Sequence, residues 1–134
     1  MANNEVRIIG GQWKGRKLSF PARPGLRPTL GRVRETLFNW LAPTLAGARC
    51  IDLYAGSGAL GFEALSRGAA EVTFVERDRK TAAALRANLA TLNGNAAVIT
   101  DTAERAIQRA GRTYDLIFCD PPFCLLYTSD AADE

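Results

Sequence analysis

The chain has 134 residues, 47% hydrophobic and 23% charged, with a formal net charge of +3, a balance that suits one globular domain and excludes a disordered or fibrous chain. It contains no histidine, and its three cysteines, Cys50, Cys119 and Cys124, show no CxxC spacing. Serine–histidine triads and most zinc sites are thereby excluded, and neither a disulfide framework nor a thiolate metal knuckle is indicated.

No apolar run approaches the roughly 20 residues of a membrane-spanning helix, and the opening MANNEVRIIGG lacks the layout of a signal peptide. A cytoplasmic protein with no membrane partner is expected. The charge is uneven, since residues 1–49 carry nine Lys/Arg against two acids and residues 50–134 carry eight against twelve. Lys14, Arg16, Lys17, Arg23, Arg27, Arg32 and Arg34 are interleaved with Trp13 and Phe20. That composition suits phosphates and bases, although a solvated basic surface would read the same way.

Residues 5–20 alternate apolar and polar side chains around Gly10-Gly11 and Gly15, which predicts short strands or a hairpin that exposes its basic residues. A proline-broken linker follows. From Thr29, a candidate N-cap, Val33, Leu37, Trp40 and Leu41 recur at helical spacing, with Pro43 as the expected stop. They predict an amphipathic helix with Arg32 and Glu35 on its exposed face.

From residue 49 the pattern alternates strand and helix: RCIDLYAG, a helix near 58–67, EVTFVE, a helix over 78–93, AAVIT, a short helix over 102–110, and YDLIFCD. Nearly continuous apolar strands between helices predict a doubly wound α/β fold with a parallel sheet. Asp78 is placed to cap the second of these helices, and Gly94 to close it. Asp101, with Glu104 three residues on, resembles a capping box.

The run from Asp52 to Gly61 (DLYAGSGALG) ends a strand and opens a helix, and Glu76 follows twenty residues beyond Gly56 at the end of the next strand. Small residues there let the backbone approach a ligand, and the acid lies where ribose hydroxyls would be bound. A tight structural turn would need the same glycines. The pattern fits either a dinucleotide or S-adenosylmethionine; Asp52, four residues before Gly56, favours the second, because it suits an ammonium and would repel a pyrophosphate. Asp101 could receive the adenine amine, cap its helix, or do both.

Asp120-Pro121-Pro122-Phe123 follows the fourth of these strands. Proline carries no amide hydrogen, so this loop offers mainly acceptors, which suit an exocyclic base amine. Phe123 could stack on an extruded base, a contact worth roughly 1–3 kcal/mol.

These motifs resemble those of the class I S-adenosylmethionine-dependent amino-methyltransferases. RIIGGQWKGRKL, GLRPT, RVRETLFNWL and DLYAGSGALGFEALSRGA further resemble the RsmD family, which methylates the exocyclic N2 of a guanine in 16S ribosomal RNA. The resemblance implies a Rossmann-like three-layer sandwich in which Asp52, Ala55, Gly56, Gly58, Glu76 and Asp101 bind S-adenosylmethionine. It implies that Asp120, Pro121, Pro122 and Phe123 hold the guanine, and that Arg7, Trp13, Lys14, Arg16, Lys17, Arg27 and Arg32 grip the RNA. The partner would be 16S rRNA in a 30S subunit or assembly intermediate, met by a monomer that uses no metal. By this division residues 1–28 form a basic RNA-binding hairpin and linker, 29–123 a partial methyltransferase domain, and 124–134 a non-native tail. Such sheets have seven strands, of which four are countable before Phe123, so apolar Leu116, Ile117 and Phe118 would lie on an open sheet edge. Two other functions fit some of the features: an NAD-dependent oxidoreductase, from the glycine pattern and Glu76 alone, and an inactive RNA-binding fragment.

Overall fold

The computed structural model describes residues 3–22 and 31–120. In chain order these form β1 (Asn3–Arg7), β2 (Lys17–Pro21), α1 (Gly31–Leu45), β3 (Arg49–Asp52), α2 (Ala59–Ser66), β4 (Glu71–Val75), α3 (Arg79–Leu92), β5 (Ala96–Ile99), α4 (Ala103–Arg109) and β6 (Leu116–Phe118). β1 and β2 pair antiparallel, and the other strands form a sheet ordered β5-β4-β3-β6, parallel throughout. The expected doubly wound α/β architecture is present.

Two apolar clusters build the layers. Phe38 of α1, Phe62 of α2 and Leu85 of α3 meet Cys50, Val72, Phe74 and Phe118 on one sheet face, while Ala103 and Ala106 of α4 meet Ile51 and Val75 on the other. Phe62 and Phe74 stack with centroids 4.7 Å apart, a pair worth about 0.5–1.5 kcal/mol beyond its burial. Gly61 makes the contact possible, because a Cβ there would overlap the Phe74 ring. The chain winds outward from β3 to β4 and β5, then returns through α4 to lay β6 on the other side of β3. The strand order therefore reverses between β3 and β6, and ligands of open α/β sheets bind above such a reversal.

Side-chain capping follows the sequence only in part. Asp78 caps α3, accepting from Thr81 N at 2.9 Å. The left-handed residue that ends α3 is Asn93 (φ 56°), not Gly94; a Cβ on Gly94 would instead press on Trp13 and Leu89. Thr102, not Asp101, caps α4, accepting from Arg105 N at 3.3 Å. The expected capping box is therefore replaced by a threonine cap one residue later.

α1 needs a larger correction. Pro43 lies inside it rather than ending it, and its buried residues are Arg34, Phe38 and Leu45. Val33 and Trp40, expected on the apolar face, are 53% and 78% exposed. Leu37 and Leu41 are half-buried, and Arg32 and Glu35 are exposed as expected. The helix is rotated because Arg34 turns inward, where Nη2 donates to the Arg7 carbonyl at 2.7 Å and Nε lies 3.6 Å from Glu63.

The hairpin shares this core. Ile8, Trp13 and Leu18 belong to the larger cluster, and Asn88 of α3 donates to the Ser19 carbonyl of β2 at 2.9 Å. The outer strands are more open than a fully covered parallel sheet: Ile99 of β5 and Ile117 of β6 are 39% and 61% exposed. Leu116 and Phe118 pack inward, so Ile117 is the exposed member of the expected apolar edge.

Candidate functional site

Asp52 ends β3 and sits opposite Phe118 in the parallel register; the next amide, Leu53 N, donates to the Phe118 carbonyl at 3.0 Å. Strand pairing thus brings the start of the glycine turn alongside the chain two residues before Asp120. The turn is tightly held. Ala55 N donates to Val75 O at 3.0 Å and Gly58 N to Ala55 O at 2.8 Å. Gly56 and Gly58 adopt φ of 53° and 83°, and a Cβ on Gly58 would come within 2.6 Å of the Phe62 ring. Both left-handed geometry and lack of space require glycine at that position.

Glu76, one residue beyond β4, is 5% exposed. Its Oε1 accepts from Gly56 N at 3.0 Å and its Oε2 from Asp78 N at 2.8 Å. One carboxylate therefore ties the glycine turn to the turn before α3. A carboxylate in this place presents acceptor oxygens of the kind that suit hydroxyl donors. Asp101 joins the same rim through its backbone, with Asp101 N donating to Glu76 O at 3.2 Å. Its carboxylate accepts from Thr102 N at 2.8 Å and lies 3.8 and 3.5 Å from Arg105 and Arg109.

Asp52 is the electrostatic anomaly. It is 1% exposed, and among the described residues neither carboxylate oxygen has a hydrogen-bond partner. Burial pushes its pKa up to about 7; the Gly61 and Tyr54 amides pull the other way without reaching hydrogen-bond geometry, and the charges of Asp120 and Glu76 raise it further. A buried acid without partners is costly. A cationic donor at this position would satisfy both oxygens and restore the charged form, so the orphaned carboxylate fits an ammonium-bearing ligand such as S-adenosylmethionine.

The sequence-predicted cofactor residues Asp52, Ala55, Gly56, Gly58, Glu76 and Asp101 thus gather along the carboxyl ends of β3, β4 and β5. Asp120 is exposed beside them. Pro121, Pro122 and Phe123 lie outside the described residues, as does Arg27. A separate cavity of about 300 Å³ lies under α4, lined by Ile51, Tyr114, Arg109 and Arg112; of the candidate residues, Asp101 alone borders it. Among the described residues no group of three acids or cysteines is placed to hold a metal ion.

Arg7, Lys14, Arg16, Lys17 and Arg32 are exposed. Trp13 is a correction. It is 9% exposed within the core, with its amide bound to Ser66 Oγ at 2.9 Å, because the loop between β1 and β2 folds onto α2. Phe20 and Arg34, grouped with the basic segment by sequence, are also buried. The sequence reading overlooked Glu63, fully buried in α2. The signal available was an acid within the otherwise apolar run ALGFEALS.

Known proteins resemble this chain over most of its length. A family model described as conserved hypothetical protein 95 matches residues 6–131. Ribosomal RNA small subunit methyltransferase D of Escherichia coli K12 is 56% identical over 122 residues, which is 90% of this chain and 62% of that protein. The solved structure of yhhF from Escherichia coli superposes with a TM-score of 0.83 at 52% identity, covering 90% of this chain and 65% of that one. The Thermus thermophilus 16S rRNA N2 G1207 methyltransferase, solved with AdoMet and guanosine, gives a TM-score of 0.68 at 26% identity, covering 91% of this chain and 33% of that one. This chain therefore spans less than two thirds of the first two relatives. With the switch-point acid, the glycine turn and a family match across most of its length, the chain belongs to the conserved hypothetical protein 95 family, the RsmD family of methyltransferases.

Proposed function

We propose that the protein binds S-adenosylmethionine at the glycine turn and transfers its methyl group to the exocyclic N2 of a guanine in 16S rRNA, acting in the cytoplasm on a 30S subunit or assembly intermediate. The observation that carries this reading is Asp52, buried at the switch point with no hydrogen-bond partner among the described residues and paired in register with the strand that leads into Asp120-Pro121-Pro122-Phe123. A relative of this fold solved with AdoMet and guanosine supports it, as does the name of the rRNA methyltransferase relative.

S-adenosylmethionine, when bound, supplies an electrophilic methyl on a sulfonium. Asp52 would hold its ammonium, Glu76 its ribose hydroxyls and Asp101 its adenine amine, while the turn at Ala55, Gly56 and Gly58 lets the backbone come close. Asp120 and the Pro121 carbonyl would accept from the guanine amine, drawing its lone pair out of conjugation. Phe123 would stack on the flipped base. Exposed Arg7, Lys14, Arg16, Lys17 and Arg32, with Arg27, would neutralise RNA phosphates. Positioning supplies most of the rate, since the transfer would be direct and in line.

The test is transfer of labelled methyl from S-adenosylmethionine to 30S particles, followed by nucleoside analysis. Label in N2-methylguanosine is expected. Binding of S-adenosylhomocysteine with label in any other nucleoside, or in none, refutes the substrate; binding of NAD in its place refutes the cofactor.

A further inference from the structure

The Gly10-Gly11 pair is unexplained by RNA or cofactor contact, yet it meets a densely bonded polar cluster on α2. Glu63 Oε1 and Oε2 accept from the consecutive amides of Ile9 and Gly10, each at 2.9 Å, and Oε2 also accepts from Arg67 Nε at 2.7 Å. One turn later, Ser66 Oγ accepts from Trp13 N and donates to the Gly10 carbonyl at 2.6 Å, while Gln12 N donates to Ser66 O at 2.8 Å. Gly11 has φ +82°, and a Cβ there would overlap the Ser66 carbonyl. From the other side Arg34 reaches the Arg7 carbonyl. The loop joining β1 and β2 is thus bolted to α2, the helix that springs directly from the glycine turn.

Burying an acid between two arginines is an inefficient source of stability. It is an effective way to fix geometry, because the five directed bonds of the Glu63 and Ser66 side chains allow one orientation where apolar packing allows several. We infer that Glu63 and Ser66 are positioning residues: they hold the basic hairpin at a fixed angle to the glycine turn, so that RNA gripped by Arg7, Lys14, Arg16 and Lys17 presents its base to the cofactor. This rests on the function proposed above.

The test compares the unaltered chain with Ser66→Ala and Glu63→Gln, measuring S-adenosylhomocysteine affinity by calorimetry, 16S rRNA affinity by filter binding, and folding by circular dichroism. Ser66→Ala leaves every charge in place, so it decides the question even if Glu63→Gln fails to fold. The expected result is cofactor-product affinity within about twofold of the unaltered chain and rRNA affinity lower by roughly tenfold. Equal rRNA affinity in a folded Ser66→Ala overturns the positioning role alone, and so does a parallel loss of both affinities, which marks a general structural defect. An unaltered chain that binds S-adenosylhomocysteine but no rRNA overturns the RNA reading, and this inference with it.

Discussion

Replacing Asp52 by asparagine isolates the cost of the orphaned carboxylate. Burial moves its pKa from 3.8 to about 7, so the folded chain holds the proton more tightly than the unfolded chain does. Unfolded Asp52 ionises first as pH rises, and the folded state loses stability from about pH 4 until its own carboxyl ionises near pH 7; above that the penalty is constant. At 1.36 kcal/mol per pH unit, the loss between pH 5 and pH 8 is roughly 3 kcal/mol, a large share of a typical domain stability of about 5–15 kcal/mol. The amide that replaces the carboxyl in Asp52→Asn does not titrate. Urea unfolding at pH 5, 6, 7 and 8 should therefore show the asparagine variant gaining on the parent by roughly that amount across the series. Contributions common to the two chains cancel in the difference. Binding should move the opposite way: S-adenosylhomocysteine affinity of the parent should climb by up to about tenfold per unit below pH 7 as the acid ionises, and the variant should bind weakly at every pH. Parallel stability curves for the two chains would refute the buried-acid argument, and a pH-independent affinity in the parent would refute the ammonium pairing.

Three further outcomes follow from the same coordinates. Gly58→Ala should lose at least about 2 kcal/mol of stability by chemical denaturation, since it combines a φ of 83° with a Cβ 2.6 Å from Phe62, and should abolish cofactor binding. Trp13→Ala should destabilise by about 3–5 kcal/mol, the cost of an emptied core site, in a thermal melt without RNA; a near-neutral variant would return Trp13 to the surface. Cys50 is buried, with its thiol pushed up to about 11 chiefly by burial and further by Asp115 and Asp52. Brief alkylation at pH 8 followed by peptide mass analysis should therefore modify exposed Cys119 and spare Cys50.

The alternation of strand and helix from residue 49, the glycine run and the acids at 52, 76 and 101 were legible in sequence because each obeys a local rule. Period, cap chemistry and the need for small residues at a tight turn all act over a few neighbouring residues. The missed features share a different origin. Trp13 and Arg34 were read as surface groups because their immediate neighbours are basic, and α1 was assigned the wrong buried face because Val33 and Trp40 complete an apolar stripe. What turns these residues is a pair of side chains on α2: Ser66 holds the Trp13 amide, while Glu63, fifty-three residues beyond Gly10, holds the Gly10 amide and lies beside Arg34. Such a contact leaves no periodic trace. Local chemistry thus determined the elements and the kind of ligand they await, whereas long-range pairing decided that Asp52 lies beside the strand leading to Asp120, because only the reversal of strand order brings residues 52 and 118 into register.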